Sequence, residues 1–301
     1  MALGAAEGLT PSADRIRRAG FAYALTAIGI WGFIPLLYKE LSGVPPFEVI
    51  AYRVLWGLVA ALAAAAWQDR GAMLLTALQS RRQLATMAVT ATLIAINWLA
   101  FIFAVNRGLV LQSSLGYFIG PLVNVLLGVV FLRERLTVRQ VVAVALAAVG
   151  VLNHTVAVGE LPWIALTLGG SFALYAYVRK VARAPALEGL TIELLWLAPI
   201  ALGYLWFAGS GGFSVDTPWL SGALIVAGIS TALPLVWYTE GSKRMTLATI
   251  GILQFIAPSM QFLLAVFAFG EPFRAYDAVT FVCIWVALAV YLWPVRKGAG
   301  A

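Results

Sequence analysis

One cysteine, Cys283, and one histidine, His154, are all the chain offers of the two residue types that most often bind transition metals. A lone cysteine in an apolar run can form no intrachain disulfide. Without a cluster of either type, no metal site and no metal cofactor are expected. Charge is scarce as well. Asp, Glu, Lys and Arg make up 11% of 301 residues, against about 25% in soluble domains. Apolar residues take their place: 62% of the chain is hydrophobic, more than a soluble fold of this length can bury. The composition therefore reads as an all-α integral membrane protein, with the lipid bilayer as a partner. The first 20 residues hold Asp14, Arg15, Arg17 and Arg18 but no apolar run, and read as a cytoplasmic tail rather than a signal peptide. No loop is long enough for a sensor domain. One His and no paired embedded acids argue against an enzyme.

A membrane-crossing helix takes roughly 20 residues. Ten apolar stretches fit, at about 21–38, 46–66, 84–105, 110–132, 138–154, 162–178, 188–208, 219–239, 246–268 and 277–294. The net charge of +7 could suggest nucleic acid, but the cations follow the loops instead of one face. Sixteen of the 20 Lys and Arg fall in the tails and in every second loop, three fall on the other side (Lys39, Arg107, Arg274), and Arg53 lies inside a span. Such a bias places both termini, including a tail at 295–301, in the cytoplasm.

The chain also repeats itself. SLGYFIGPLVNVLLGVVFLRERLT (114–137) shifted by 137 residues lands on GILQFIAPSMQFLLAVFAFGEPFR (251–274) with seven identities, among them Pro121 with Pro258 and Glu134 with Glu271. Tyr117 meets Gln254, Phe118 meets Phe255, and Asn124 meets Gln261. A shift of 141 aligns 27–39 with 168–180, and a shift of 140 aligns Glu48 with Glu188 and Arg53 with Glu193. Each half, 21–154 and 162–294, reads as five spans. Five is odd, so the second half must be inverted relative to the first, a recurring design of secondary transporters with the substrate at the repeat interface.

Two five-helix halves, a Pro-containing fourth helix ending in a glutamate and the pair Trp31–Gly32 resemble the drug/metabolite transporter superfamily and its EamA-type domains. NWLAFIFAVNRG (97–108) and the 114–137 stretch resemble its bacterial RarD-type branch. The second half departs from the pattern, ending FGEPF where the first has the RER knot. The resemblance covers about 20–294 and implies ten helices around a central cavity in the bacterial inner membrane, exporting small metabolites. RarD-like proteins are loosely described as drug permeases, while superfamily relatives such as YddG export amino acids.

Polar residues embedded in the spans are the candidates for that cavity. Tyr117, Pro121, Asn124 and Gly128 form one helical stripe, and Gln254, Pro258, Gln261 and Ala265 its counterpart. Such groups avoid lipid and face protein or water. Trp31, Pro35 and Tyr38 line the first span. Asn97 and Trp98 sit in the third, Thr167, Ser171 and Tyr175 in the sixth, and Thr231, Pro234 and Tyr238 in the eighth. Either these residues line the cavity or they only bond neighbouring helices. The four prolines are candidate bends. Arg53 and Glu193 are intramembrane charges, functional-site hypotheses by default, with ion pairing or snorkelling as the plain alternative. Glu134 and Glu271 are expected to close helix ends, and His154 to sit at the interface. Trp67, Trp163, Trp219 and Trp293 read as interface anchors. Glu193 is the sole carboxylate clearly inside a span, which suggests weak or no ion coupling. Amides beside aromatic rings suit a neutral or aromatic amino acid; a drug exporter driven by protons is the alternative. A complete pair of repeats could work as a monomer.

Overall fold

The computed structural model describes residues 13–132, 138–182, 184–214, 216–242, 244 and 253–292. Among these residues there are helices and short connections but no strand. In chain order the helices are α1 (Ala13–Glu40), α2 (Pro46–Trp67), α3 (Gly71–Gln79), α4 (Arg81–Asn106), α5 (Val110–Leu132) and α6 (Val138–Val158). They continue with α7 (Trp163–Val181), α8 (Ala186–Ala208), α9 (Pro218–Ser242), α10 (Ile256–Leu263) and α11 (Ala275–Leu292). A π-helical turn, Leu264–Ala268, extends α10. Every expected span overlaps one of these helices, the ninth only in its second part because 245–252 lie outside the described residues. The short helix α3 was not expected; it occupies the connection between the second and third spans.

Six of the helices are long and apolar enough to cross a membrane: Arg18–Glu40, Pro46–Trp67, Arg81–Asn106, Val141–Val158, Ala186–Ala208 and Pro218–Tyr238. Their outer faces are apolar too. On α8, Trp206 and Phe207 are 84% and 86% exposed, a surface that suits lipid and not water. Trp67, Trp163 and Trp219 are exposed near helix ends, as anchors are.

Local signals fix the helix limits. Pro46 and Pro218 open α2 and α9, where the missing N–H costs nothing. Gly108 ends α4 at φ +67°. The Leu109 N–H bonds back to the Ala104 carbonyl and the Gly108 N–H to that of Val105, the double bond of a Schellman turn. The chain can then re-enter a helix at Val110. The first amides of α5 have no partner within the helix, and a distant carboxylate supplies one. Glu271 accepts from the Val110 and Leu111 N–H groups at 2.7 and 2.8 Å. Burial pushes its carboxyl above the ordinary range, opposed by those two N–H groups and by Lys39. Its counterpart Glu134 lies outside the described residues.

Contacts between helix ends sort into two layers. At one end of the bundle, Glu48 accepts from the Ser210 and Gly212 N–H groups, both at 2.8 Å. Glu271 holds α5 there, and Lys39 lies over the Phe269 ring. His154 faces Asp277 at 3.5 Å. At the other end, Arg70 pairs with Glu188 at 3.1 Å and Arg244 lies over Tyr23. The start of α2 therefore meets the end of α8, and the start of α8 meets the end of α2. The two helices run antiparallel, and the aligned glutamates 48 and 188 anchor opposite ends.

Packing follows from small residues. Helix α2 lies between α8 and α9, α1 packs on α9 and α10, α7 on α4 and α5, and α6 on α11. A Cβ on Gly228 would stand 2.3 Å from that of Trp56, and one on Gly116 2.7 Å from the Ala165 carbonyl oxygen. Where lipid removes the hydrophobic drive between helices, such close contact takes its place.

Candidate functional site

Arg53 lies two turns into α2 and is 8% exposed. Its guanidinium carbon sits 4.3 Å from the Trp98 ring centre and 5.5 Å from that of Tyr38. One terminal nitrogen donates to the Tyr38 hydroxyl. The Nε–H has no protein partner, and among the described residues no carboxylate pairs with this cation. The site is thus a buried cation between two aromatic faces, which stabilise it through their quadrupoles.

The cluster continues across α4, α5 and α7. Phe101 packs on Tyr38 and Tyr117, each at 5.9 Å between ring centres. The Tyr117 hydroxyl donates to Asn97 Oδ1 at 3.2 Å. Asn97 Nδ2 donates to the Ser171 hydroxyl at 3.0 Å and to the Leu168 carbonyl at 2.9 Å. Phe172 stands edge-on to Tyr117 at 6.3 Å. A groove of about 790 Å³ opens between the α1–α2 connection, α4 and the start of α7. Ala100 and Thr167 line it, one helical turn from Asn97 and Ser171 respectively.

A second cluster joins α1, α9 and the chain around α10. Trp31 and Tyr238 pack at 5.5 Å. Gln254 Nε2 donates to the Tyr238 hydroxyl, and Gln261 Nε2 donates to the Trp31 carbonyl at 3.1 Å. The Gln261 Oε1 atom is buried without a protein partner. The two clusters correspond. The offset of 137 that relates Tyr117 to Gln254 also relates Phe101 to Tyr238, and the offset of 141 relates Trp31 to Phe172. Phe118 and Phe255, aligned by the same 137 shift, stack on each other at 6.2 Å and 15°.

Tyr175 and Glu193 form a third group, joined to the first where the Tyr175 ring stacks on Phe172 at 6.2 Å. The Tyr175 hydroxyl donates to Glu193 Oε2 at 3.2 Å, and Arg179 stands 3.6 Å from Oε1. Arg179 was expected in a loop; it sits in the last turns of α7 and neutralises the buried acid. His154 is 6% exposed and faces Asp277, because α11 covers that face of α6. Pro35 and Pro234 lie inside α1 and α9, α8 holds a further proline, Pro199, and the Pro258 carbonyl accepts from Ser114 Oγ at 2.7 Å. Thr231 donates to the Ala227 carbonyl of its own helix. Pro121, Asn124 and Gly128 fall in α5, but their side chains lie outside the described residues. Sequence reasoning missed Phe101 and Phe172, since an apolar ring in an apolar helix carries no signal of its own. Only the repeat offsets could have found them.

The geometry can be set beside known proteins. Residues 18–154 match the model of the EamA-like transporter family. A protein of Bacillus subtilis named as the uncharacterized transporter YojE is 39% identical over 285 residues, covering 91% of this chain and 93% of that one. Protein RarD of Escherichia coli is 42% identical over 278 residues, covering 91% and 94%. A chloramphenicol-sensitive protein RarD of Pseudomonas aeruginosa is 31% identical over 284 residues, covering 93% and 95%. A solved crystal structure superposes with a TM-score of 0.61 at 21% identity, covering 92% of this chain and 96% of that one, a likeness of fold alone. The buried polar-aromatic clusters inside a multi-pass helical bundle, together with full-length similarity to RarD and YojE, lead to one conclusion: the chain is a membrane transporter and belongs to the EamA-like transporter family.

Proposed function

We propose that this transporter exports small amphipathic metabolites, foremost neutral and aromatic amino acids, across the bacterial inner membrane by alternating access and without obligatory ion coupling. The observation that carries the reading is the pair of corresponding clusters. Each half brings an aromatic ring and a hydrogen-bonding side chain to one place, Phe101 with Tyr117 and Tyr238 with Gln254. Amides and hydroxyls beside rings recognise a zwitterion carrying an apolar side chain. Carriers place substrate at the interface of such repeats.

The architecture behind this reading is ten spans in two inverted five-helix repeats, with both termini in the cytoplasm. Three observations support it. Helix pairs come in exchanged sets: α1 packs on α9 as α7 packs on α4, and α1 on α10 as α7 on α5. The aligned Phe118 and Phe255 touch, as residues beside a pseudo-two-fold axis do. The end-to-end contacts join only loops that the distribution of Lys and Arg assigns to one side.

Uptake of labelled phenylalanine into proteoliposomes tests the site. Asn97→Leu and Gln254→Leu each remove one hydrogen-bonding arm, which is worth about 1–1.5 kcal/mol. We expect each to raise KM about 5–10-fold at similar protein levels. Unchanged KM in both would remove the clusters from the substrate path. One finding favours a second reading, export of drug-like molecules: the Pseudomonas aeruginosa relative is named for chloramphenicol. Competition by chloramphenicol but not by amino acids would select it.

A further inference from the structure

We propose that Arg53 is an anion seat, which receives the carboxylate of the transported molecule while Trp98 and Tyr38 flank its organic part. This rests on the reading of the chain as a carrier of amino-acid-like solutes, and narrows it to solutes bearing a carboxylate.

The aligned positions 38 and 53 of the first half correspond to 179 and 193 of the second. In the second half these are Arg179 and Glu193, and they neutralise each other at 3.6 Å. In the first half they are Tyr38 and Arg53. The geometry of the pair survives, but the acid has gone and the cation has moved to its place. A charge this deep is costly without a counter-ion. Elsewhere the described structure gives its buried acids partners: Glu48 has backbone amides, Glu188 has Arg70, and Glu193 has Arg179. Arg53 alone among these buried ions, 92% enclosed, is left with a hydroxyl, two ring faces and an unpaired Nε–H.

Arginine's fork suits a planar carboxylate better than any other anion-binding side chain. The fork is half used here: one terminal nitrogen holds Tyr38, which fixes the plane, and Nε remains. The neighbouring surface is chosen for an organic anion and not for a bare inorganic one. Trp98 stacks on the guanidinium, and its chain neighbour Asn97 accepts from the Tyr117 hydroxyl of α5. A second cation, which a phosphate ester would call for, is missing from this cluster among the described residues.

The test compares ligands that differ only in the acid group: 3-phenylpropionate and 3-phenylpropanamide. Each is measured twice on the purified full-length protein, by thermal shift in detergent and by inhibition of labelled phenylalanine uptake into proteoliposomes. For the natural sequence we expect the acid to bind at least about 10-fold more tightly than the amide, the range of a charge-assisted hydrogen-bonded pair. Arg53→Gln should reduce that ratio to about one, and Arg53→Lys, which keeps the charge but not the fork, should retain an intermediate ratio. Equal binding of acid and amide by the natural sequence overturns the proposal, whatever the variants do. So does a preserved preference in Arg53→Gln. If phenylalanine uptake is absent while the thermal shift still favours the acid and loses that preference in Arg53→Gln, the anion seat stands and the amino-acid reading falls.

Discussion

Position 53 carries a cation where the corresponding position 193 carries an acid, and the two differ in what holds them. Glu193 has Arg179; losing the acid leaves a guanidinium largely buried and uncompensated, which costs about 3 kcal/mol or more. We therefore expect Glu193→Gln to lower the thermal midpoint in detergent, and the double variant Glu193→Gln/Arg179→Gln to recover most of the loss. Among the described residues Arg53 has no counter-ion. Arg53→Gln should cost only about 1–2 kcal/mol, from the lost contacts with Tyr38 and Trp98. A loss for Arg53→Gln as large as that for Glu193→Gln would mean that Arg53 is a structural ion after all. Both charges were legible in the sequence because embedded charges are rare. Their partners were not. Arg179 read as a loop residue, since the apolar run that marks the sixth span stops at 178, one residue before it.

Helices in this protein are fixed by what meets their ends and by how closely they cross. The Glu271 carboxylate closes the start of α5 from the far end of the second half. Replacing it by glutamine removes the charge and one of two acceptors, a loss of about 1–2 kcal/mol by analogy with helix caps. Hydrogen exchange at 110–114 should rise more than in the rest of α5; uniform protection would show that the cap is dispensable. At the α2–α9 crossing, a methyl group on Gly228 would collide with Trp56, whereas one on Gly222 of the same helix meets nothing within 4 Å. Gly228→Ala should destabilise by about 1–3 kcal/mol and Gly222→Ala should be near neutral, as read from thermal unfolding in detergent. The limits of most helices could be read from proline, glycine and apolar run length. Helix α3 could not. It is short and apolar, and at nine residues too short to cross a membrane, so its pattern is that of a loop edge. Which faces meet was also hidden, because in a chain this apolar every helix face looks fit to be buried. The repeat was the exception: the alignment of Phe118 with Phe255 was visible in the sequence, and the two rings do touch.

At the scale of the whole molecule, an apolar outer surface surrounds polar clusters to which both halves of the chain contribute. The proposed two-sidedness can be checked directly. Reporter fusions at the C-terminus should show the cytoplasmic pattern, fluorescent protein bright and alkaline phosphatase inactive, while fusions in the 209–217 connection should show the reverse. The same pattern at both places would break the ten-span topology. The proposed transport proceeds without obligatory ion coupling. Glu193 is a buried acid within a candidate span, and it is already neutralised by Arg179. The measurement that tests this most directly is counterflow in proteoliposomes with no ion gradient: liposomes loaded with unlabelled phenylalanine, labelled phenylalanine outside, equal pH and equal salt on both sides. The account predicts a transient accumulation of label, unchanged by a protonophore. No accumulation under these conditions, with uptake appearing only when a proton gradient is imposed, would contradict it.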